Sequence, residues 1–205
     1  MRLVSTAALA AALFVMPAAA QTGANTAAKP TAVEADAYVA AVEKEAADLS
    51  VPAQQTAWVN ATYITDDTDA LAARSGAELT EKAVQWAKGA ARFNGVSGVS
   101  FDTRRKLDLL KNGVGLPAPT TPGAATELAT LTTRMSSSYG KGKGTLDGKP
   151  INGSDIEAAM GTSRDPAKLK EMWVSWNDNV GAPMRKDYTR MTAISNAGAQ
   201  ELGFA

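Results

Sequence analysis

Apolar positions along most of this chain recur at intervals of three and four, so the hydrophobic pattern predicts helices. From Val33 onward, Tyr38, Val42 and Leu49 form an apolar stripe with Val39 and Ala46 beside them, while Glu34, Asp36, Glu43, Lys44 and Glu45 lie mostly off it. Pro52 ends or kinks this helix, and Trp58, Val59 and Tyr63 suggest that it resumes beyond. The acidic step Thr65-Asp66-Asp67-Thr68-Asp69 suits a helix N-terminus, where the helix dipole favours negative charge. Leu71, Leu79, Ala83, Trp86, Ala90 and Phe93 then keep helical steps, which predicts a long helix to about Arg92, stopped by Asn94-Gly95. A shorter helix over Asp102–Lys111 turns Leu107 and Leu110 inward and ends at Asn112-Gly113. Gly115–Gly123 contains Pro117, Pro119 and Pro122 and is predicted to be an irregular, stiff connection. Helix returns over Ala124–Ser138, with Leu128, Leu131 and Met135 on one face.

Tyr139–Gly153 breaks this pattern and is predicted to be a Gly-rich hairpin or loop. Ser154 and Glu157 have the spacing of a capping box for a brief helix, Asp155–Met160. The clearest helix start follows: Asp165 can cap the free N–H groups of a first turn in which Pro166 lacks nothing it needs. From there Leu169, Trp173, Trp176 and Val180 fall on one face, so both indoles are expected to be buried scaffold aromatics. Pro183 restarts a helix through Met184, Tyr188, Met191, Ile194 and Leu202. The fold class is therefore mainly α: long antiparallel helices with one short Gly-rich hairpin or loop.

The first twenty residues change the picture, because they read as an address. Arg2 supplies a positive n-region, Leu3–Val15 is apolar, Met16-Pro17 breaks the run, and Ala18-Ala19-Ala20 gives an A-x-A-like cleavage site. Residues 1–20 are thus expected to be a signal peptide cleaved near Ala20, residues 21–31 a flexible lead-in, and residues 32–205 the helical segment. No second apolar run approaches the roughly 20 residues of a membrane span, so an exported protein, periplasmic or extracellular, is expected. Lys and Arg together number 21 and so do Asp and Glu, which leaves no net field to draw nucleic acid. The chain has neither cysteine nor histidine. That excludes disulfides and Cys-based metal sites, and a zinc hydrolase or His-dependent triad cannot be assembled from these residues alone.

Four short motifs invite chemistry and fail on inspection. Asp67, Asp69 and Glu78 match three EF-hand positions, but Ala72 stands where the loop needs glycine. Gly140-Lys141-Gly142-Lys143-Gly144 has neither the P-loop order nor the dinucleotide spacing. Ser138-Tyr139-Gly140-Lys141 spells S-x-x-K without its companion elements. Asn60-Ala61-Thr62 is a glycosylation sequon, a frequent chance match.

Three blocks carry a family likeness: Trp58–Thr65 with the acidic step after it, Leu109–Pro117 (LLKNGVGLP), and Ala159–Trp176 (AMGTSRDPAKLKEMWVSW). In this order they resemble the N-terminal part of the angiotensin-converting-enzyme family of zinc peptidyl dipeptidases (peptidyl-dipeptidase A). The resemblance implies an incomplete half of a larger helical cleft protein, truncated before the H-E-x-x-H zinc motif. The complete enzyme would use zinc to release C-terminal dipeptides from oligopeptides; no zinc ligand, and no catalytic residue, transfers to this chain. Where chloride-binding members carry Arg after the W-x-x-W pair, this sequence has Asn177, so no chloride ligand is assigned. Asn60 and Tyr63 fall on the family's lid and are candidate peptide-facing positions, whereas Trp173 and Trp176 are scaffold. Two functions follow: the leading segment of an exported metallopeptidase, which the open ending at Phe204-Ala205 favours, or a non-catalytic secreted helical binding module.

Overall fold

The structure, a computed structural model, describes residues 29–204; the predicted leader and most of the lead-in lie outside them. Helix α1 spans Ala32–Thr62, with Pro52 inside it. Thr31 caps it through a reciprocal capping box with Glu34, and the Thr31 side chain and N–H both engage the Glu34 carboxylate. Pro52 is exposed, so the missing N–H interrupts the solvent side of the helix without ending it.

Tyr63, Ile64 and Thr65 connect α1 to α2 (Asp66–Ala91), which opens with a Thr65–Thr68 capping box and three aspartates in its first turn. The two helices are antiparallel, as their cross-links show. The Tyr38 hydroxyl donates to the Trp86 carbonyl at 2.8 Å, Glu45 accepts from the Trp86 indole at 2.7 Å and from Lys82, and Asn60 reaches Asp69. Helix α3 (Phe101–Asn112), capped by Ser100, lies across both and is tied to α1 by Thr103–Asp36 and Lys106–Glu43. Ala35, Val39, Ala90, Phe93 and Leu107 fill the core between these helices.

The proline-rich connection is irregular, as the sequence predicts, yet Pro117 and Ala118 are buried. It leads to α4 (Ala124–Lys141), which extends three residues past its predicted end and packs along α2 through small side chains. Gly76 and Ala129 face each other there closely enough that an added methyl on Gly76 would touch Ala129 at 3.4 Å. Strands β1 (Lys143–Leu146) and β2 (Lys149–Asn152) form an antiparallel hairpin, with Leu146 paired to Lys149. Asp147 and Gly148 both take positive φ, the geometry of a two-residue type I′ turn.

Helix α5 (Gly153–Thr162) corrects the expected capping box. It starts at once after β2, so Asn152 is the cap, accepting from Asp155 N at 2.8 Å, and Ser154 already lies inside the first turn. Helix α6 (Pro166–Trp176) has the predicted start, with Asp165 Oδ1 accepting from Ala167 N at 2.9 Å. No break follows α6: a π-helical turn, Asn177–Gly181, carries the chain into α7 (Ala182–Glu201). Pro183 has no N–H for the Asn179 carbonyl, and a widened turn is how a helical run absorbs such a defect.

Helix α7 runs antiparallel to α4, pinned by bidentate Arg134–Asp187 and Arg190–Glu127 pairs at 2.6–2.7 Å over a core of Leu128, Leu131 and Ile194. Gly198 lets the proline-rich connection lie directly on α7; a Cβ there would stand 2.4 Å from the Pro117 carbonyl oxygen. The fold is mainly α, as expected, and among the described residues no helix is long and apolar enough to cross a membrane.

Candidate functional site

The corner between α1 and α2 holds the lid candidates, and its two members are placed differently. Asn60 is half-buried, and its amide donates to Asp69 Oδ1 at 2.7 Å and to Thr68 Oγ1 at 3.3 Å. Thr68 in turn donates to the Tyr63 carbonyl at 2.7 Å, so Asn60 and Thr68 together close the corner. The Asn60 amide is thus occupied, which also disfavours the sequon as a glycan acceptor. Tyr63 and Trp58 have free rings, each 71% exposed. Both rings stand exposed near the end of α1, Trp58 in its last turns and Tyr63 at its C-cap.

Asp69 links this corner to an open groove of about 600 Å³ between α2 and α4. Its floor is alanine, Ala70, Ala73 and Ala77, with Asp66 and Asp69 at one end and Arg74 and Arg134 along its walls. The size suits a peptide segment. Arg134 is committed to Asp187, however, and no nucleophile–base pair lines the groove.

A second groove, about 790 Å³, lies between Tyr139 and Gly140 of α4, helix α5 and Trp176. Tyr139 meets Trp176 edge to face, with ring centroids 5.4 Å apart. The expectation that both indoles are buried is corrected: Trp173 is 59% exposed and Trp176 is half-buried. Helix α6 faces the hairpin with Ser175 and Trp176 and buries Met172, whereas Trp173, one residue on from Met172, points to solvent. Asn177 is exposed at the start of the π turn and donates to the Trp173 carbonyl at 2.8 Å, a helix-internal role.

The electrostatics are those of a scaffold. The Lys82 ammonium and the Trp86 indole hold Glu45 below the usual carboxylate range, and hairpin N–H groups do the same for Glu171. Burial raises Tyr38. These three shifts belong to packing between elements, and none of the three groups lines the α2–α4 groove or the Tyr139–Trp176 groove. Zinc does not fit the donor set: the sequence has no histidine or cysteine, and among the described residues no three Asp or Glu side chains cluster.

Two sets of contacts escaped the sequence reading. Glu171 accepts from Asp147 N and Gly148 N, both at 3.0 Å, and so anchors a turn more than twenty residues away, for which no local signal exists. The α4–α7 pairs did leave a signal, since Glu127 and Arg134 share a face of α4 and Asp187 and Arg190 a face of α7.

The family model described as angiotensin-converting enzyme matches residues 29–205. The chain belongs to the angiotensin-converting-enzyme family. That family is one of zinc metallopeptidases acting on peptides, and its match covers every described residue. The chain is 28% identical over 176 residues to angiotensin-converting enzyme of Haematobia irritans exigua, covering 82% of this chain and 28% of that protein. It is 26% identical over 152 residues to the angiotensin-converting enzyme-like protein Ace3 of Mus musculus, covering 73% and 20%. Against angiotensin-converting enzyme of Rattus norvegicus it is 27% identical over 154 residues, covering 72% and 12%. The chain therefore spans little more than a quarter, at most, of the curated relatives it matches.

Proposed function

We propose that this chain is the N-terminal lid-and-scaffold segment of an exported zinc peptidase that releases C-terminal dipeptides from oligopeptides. One observation carries the reading: an angiotensin-converting-enzyme match extends over residues 29–205 of a sequence that contains no histidine. The segment thus has the family's framework without the means to hold the family's metal. In this reading Tyr63 and Trp58 edge the mouth of a peptide cleft, Asn60 fixes the corner that presents them, and Trp176 is a scaffold aromatic packed on Tyr139 and Gly153. Asn177, engaged with its own helix, supplies no chloride ligand. The leader, residues 1–20, directs export and is cleaved near Ala20. The balanced charge fits a peptide partner and gives no attraction for nucleic acid.

The test uses purified residues 21–205, a blocked tripeptide substrate and added zinc. The expected result is no dipeptide release and no zinc retained after gel filtration. Chelator-sensitive release by this chain, free of contaminating peptidase, would overturn the reading. Export is checked separately, by N-terminal sequencing of the secreted product, which should begin near Gln21.

A further inference from the structure

We propose that the hairpin, α5 and α6 form a hinged flap that opens and closes the Tyr139–Trp176 groove against the helical bundle. The bundle is cross-linked throughout. Lys82 and Trp86 hold Glu45, Thr103 holds Asp36, two Arg–carboxylate forks join α4 to α7, and Glu201 gathers Thr120 and Lys88. The flap is equally well tied within itself. Glu171 holds the hairpin turn, Ser175 accepts from Thr145 N at 2.8 Å, and Lys168 pairs with Asp147.

Between these two bodies the bonding changes. Among the described residues no side-chain hydrogen bond or ion pair joins β1, β2, α5 or α6 to α1, α2, α3, α4 or α7, and the extensive contacts of the flap elements are with one another and with the π turn. The bodies meet instead at two chain crossings. One is Gly142, packed so closely on Val180 that an added Cβ would stand 2.6 Å from Cγ2. The other is Asn177–Gly181, the π turn, where Asn179 donates to the Lys143 carbonyl and brings both crossings together. π turns are widened, imperfectly bonded helix, and paired crossings with few bonds across them are what a hinge requires. The edge-to-face contact of Tyr139 and Trp176 is the latch, on the wall of the groove that the motion would widen.

The chain has no cysteine, so spin labels can be placed at will. Three doubly labelled full-length chains are compared by pulsed electron resonance, each at exposed positions: Ser136 with Ala158 across the hinge, Ser136 with Ala193 within the bundle, and Ala158 with Lys170 within the flap. The expected result is one narrow distance distribution for each internal pair and two populations for the pair across. Tyr139→Ala should shift the cross-hinge pair toward the longer population, and Tyr139→Phe, which keeps the ring, should not. A cross-hinge distribution as narrow as the internal ones and insensitive to Tyr139→Ala would overturn the proposal. Equal broadening of all three pairs would also overturn it, because the looseness would then not be confined to a hinge.

Discussion

Met172 and Trp173 are neighbours on α6 with opposite surroundings, and they show what residue type alone leaves open. Met172 is 1% exposed, whereas Trp173, the larger side chain, is 59% exposed. Met172→Ala should therefore destabilise the chain by about 2–5 kcal/mol, the usual range for a truncated core methionine. Trp173→Ala should change stability by no more than about 0.5 kcal/mol, as surface substitutions do. Urea denaturation of both variants checks the order; a larger loss at Trp173 would mean that the helix is rotated from the orientation described. The periodicity 169, 173, 176, 180 does name one face of a helix, but which face meets a partner is set by the hairpin, more than twenty residues earlier. Asn60 is a similar case. Its place near the end of the first helix was readable in the sequence, but its bond to Asp69 required the corner to be folded.

At the level of elements, starts were more legible than junctions. Asp165-Pro166 marks the α6 start because capping is local chemistry. Pro52, expected to end or kink its helix, lies inside α1, and Pro183 stands in the first turn of α7 as expected, but a π turn rather than a break precedes it. The α4–α7 junction makes a pH prediction. The Arg134 guanidinium holds Asp187 below its ordinary range, and Arg190 does the same for Glu127. A carboxylate depressed on folding adds stability above its unfolded pKa and loses it as pH falls through the folded value. The junction should therefore weaken progressively below about pH 4.5, the ordinary value for Glu127. These pairs are solvent-accessible and screened by salt, so added salt should blunt the effect. Thermal melts from about pH 6 downward should show the double variant Glu127→Gln/Asp187→Asn less stable at neutral pH and with a shallower acid decline. An unchanged acid limb would show that the pairs do not couple α7 to α4.

The whole molecule is a cross-linked bundle that still exposes large rings: Phe101 at 85%, Trp58 and Tyr63 at 71%, and Tyr188 at 58%. Scattered exposed apolar side chains are ordinary, but Trp58, Val59 and Tyr63 are all exposed within six residues at the end of α1. A surface of this kind binds apolar material, so residues 21–205 should enhance the fluorescence of a hydrophobic dye and self-associate as concentration rises. Dye binding alone has a second source, a loosely packed core, and the two sources respond differently to substitution. If the tip is the site, replacing Trp58 and Tyr63 with serine should reduce dye binding and association while leaving the melting temperature nearly unchanged, because neither ring is buried. If the core is loose, the same substitutions should leave dye binding intact, and the melt should lack a cooperative transition. A cooperative melt, no dye enhancement and a monomer at every concentration would show the aromatic tip to be inert. That result would remove the physical basis for assigning it to the mouth of a peptide cleft, while the family membership, which rests on residues 29–205 as a whole, would stand.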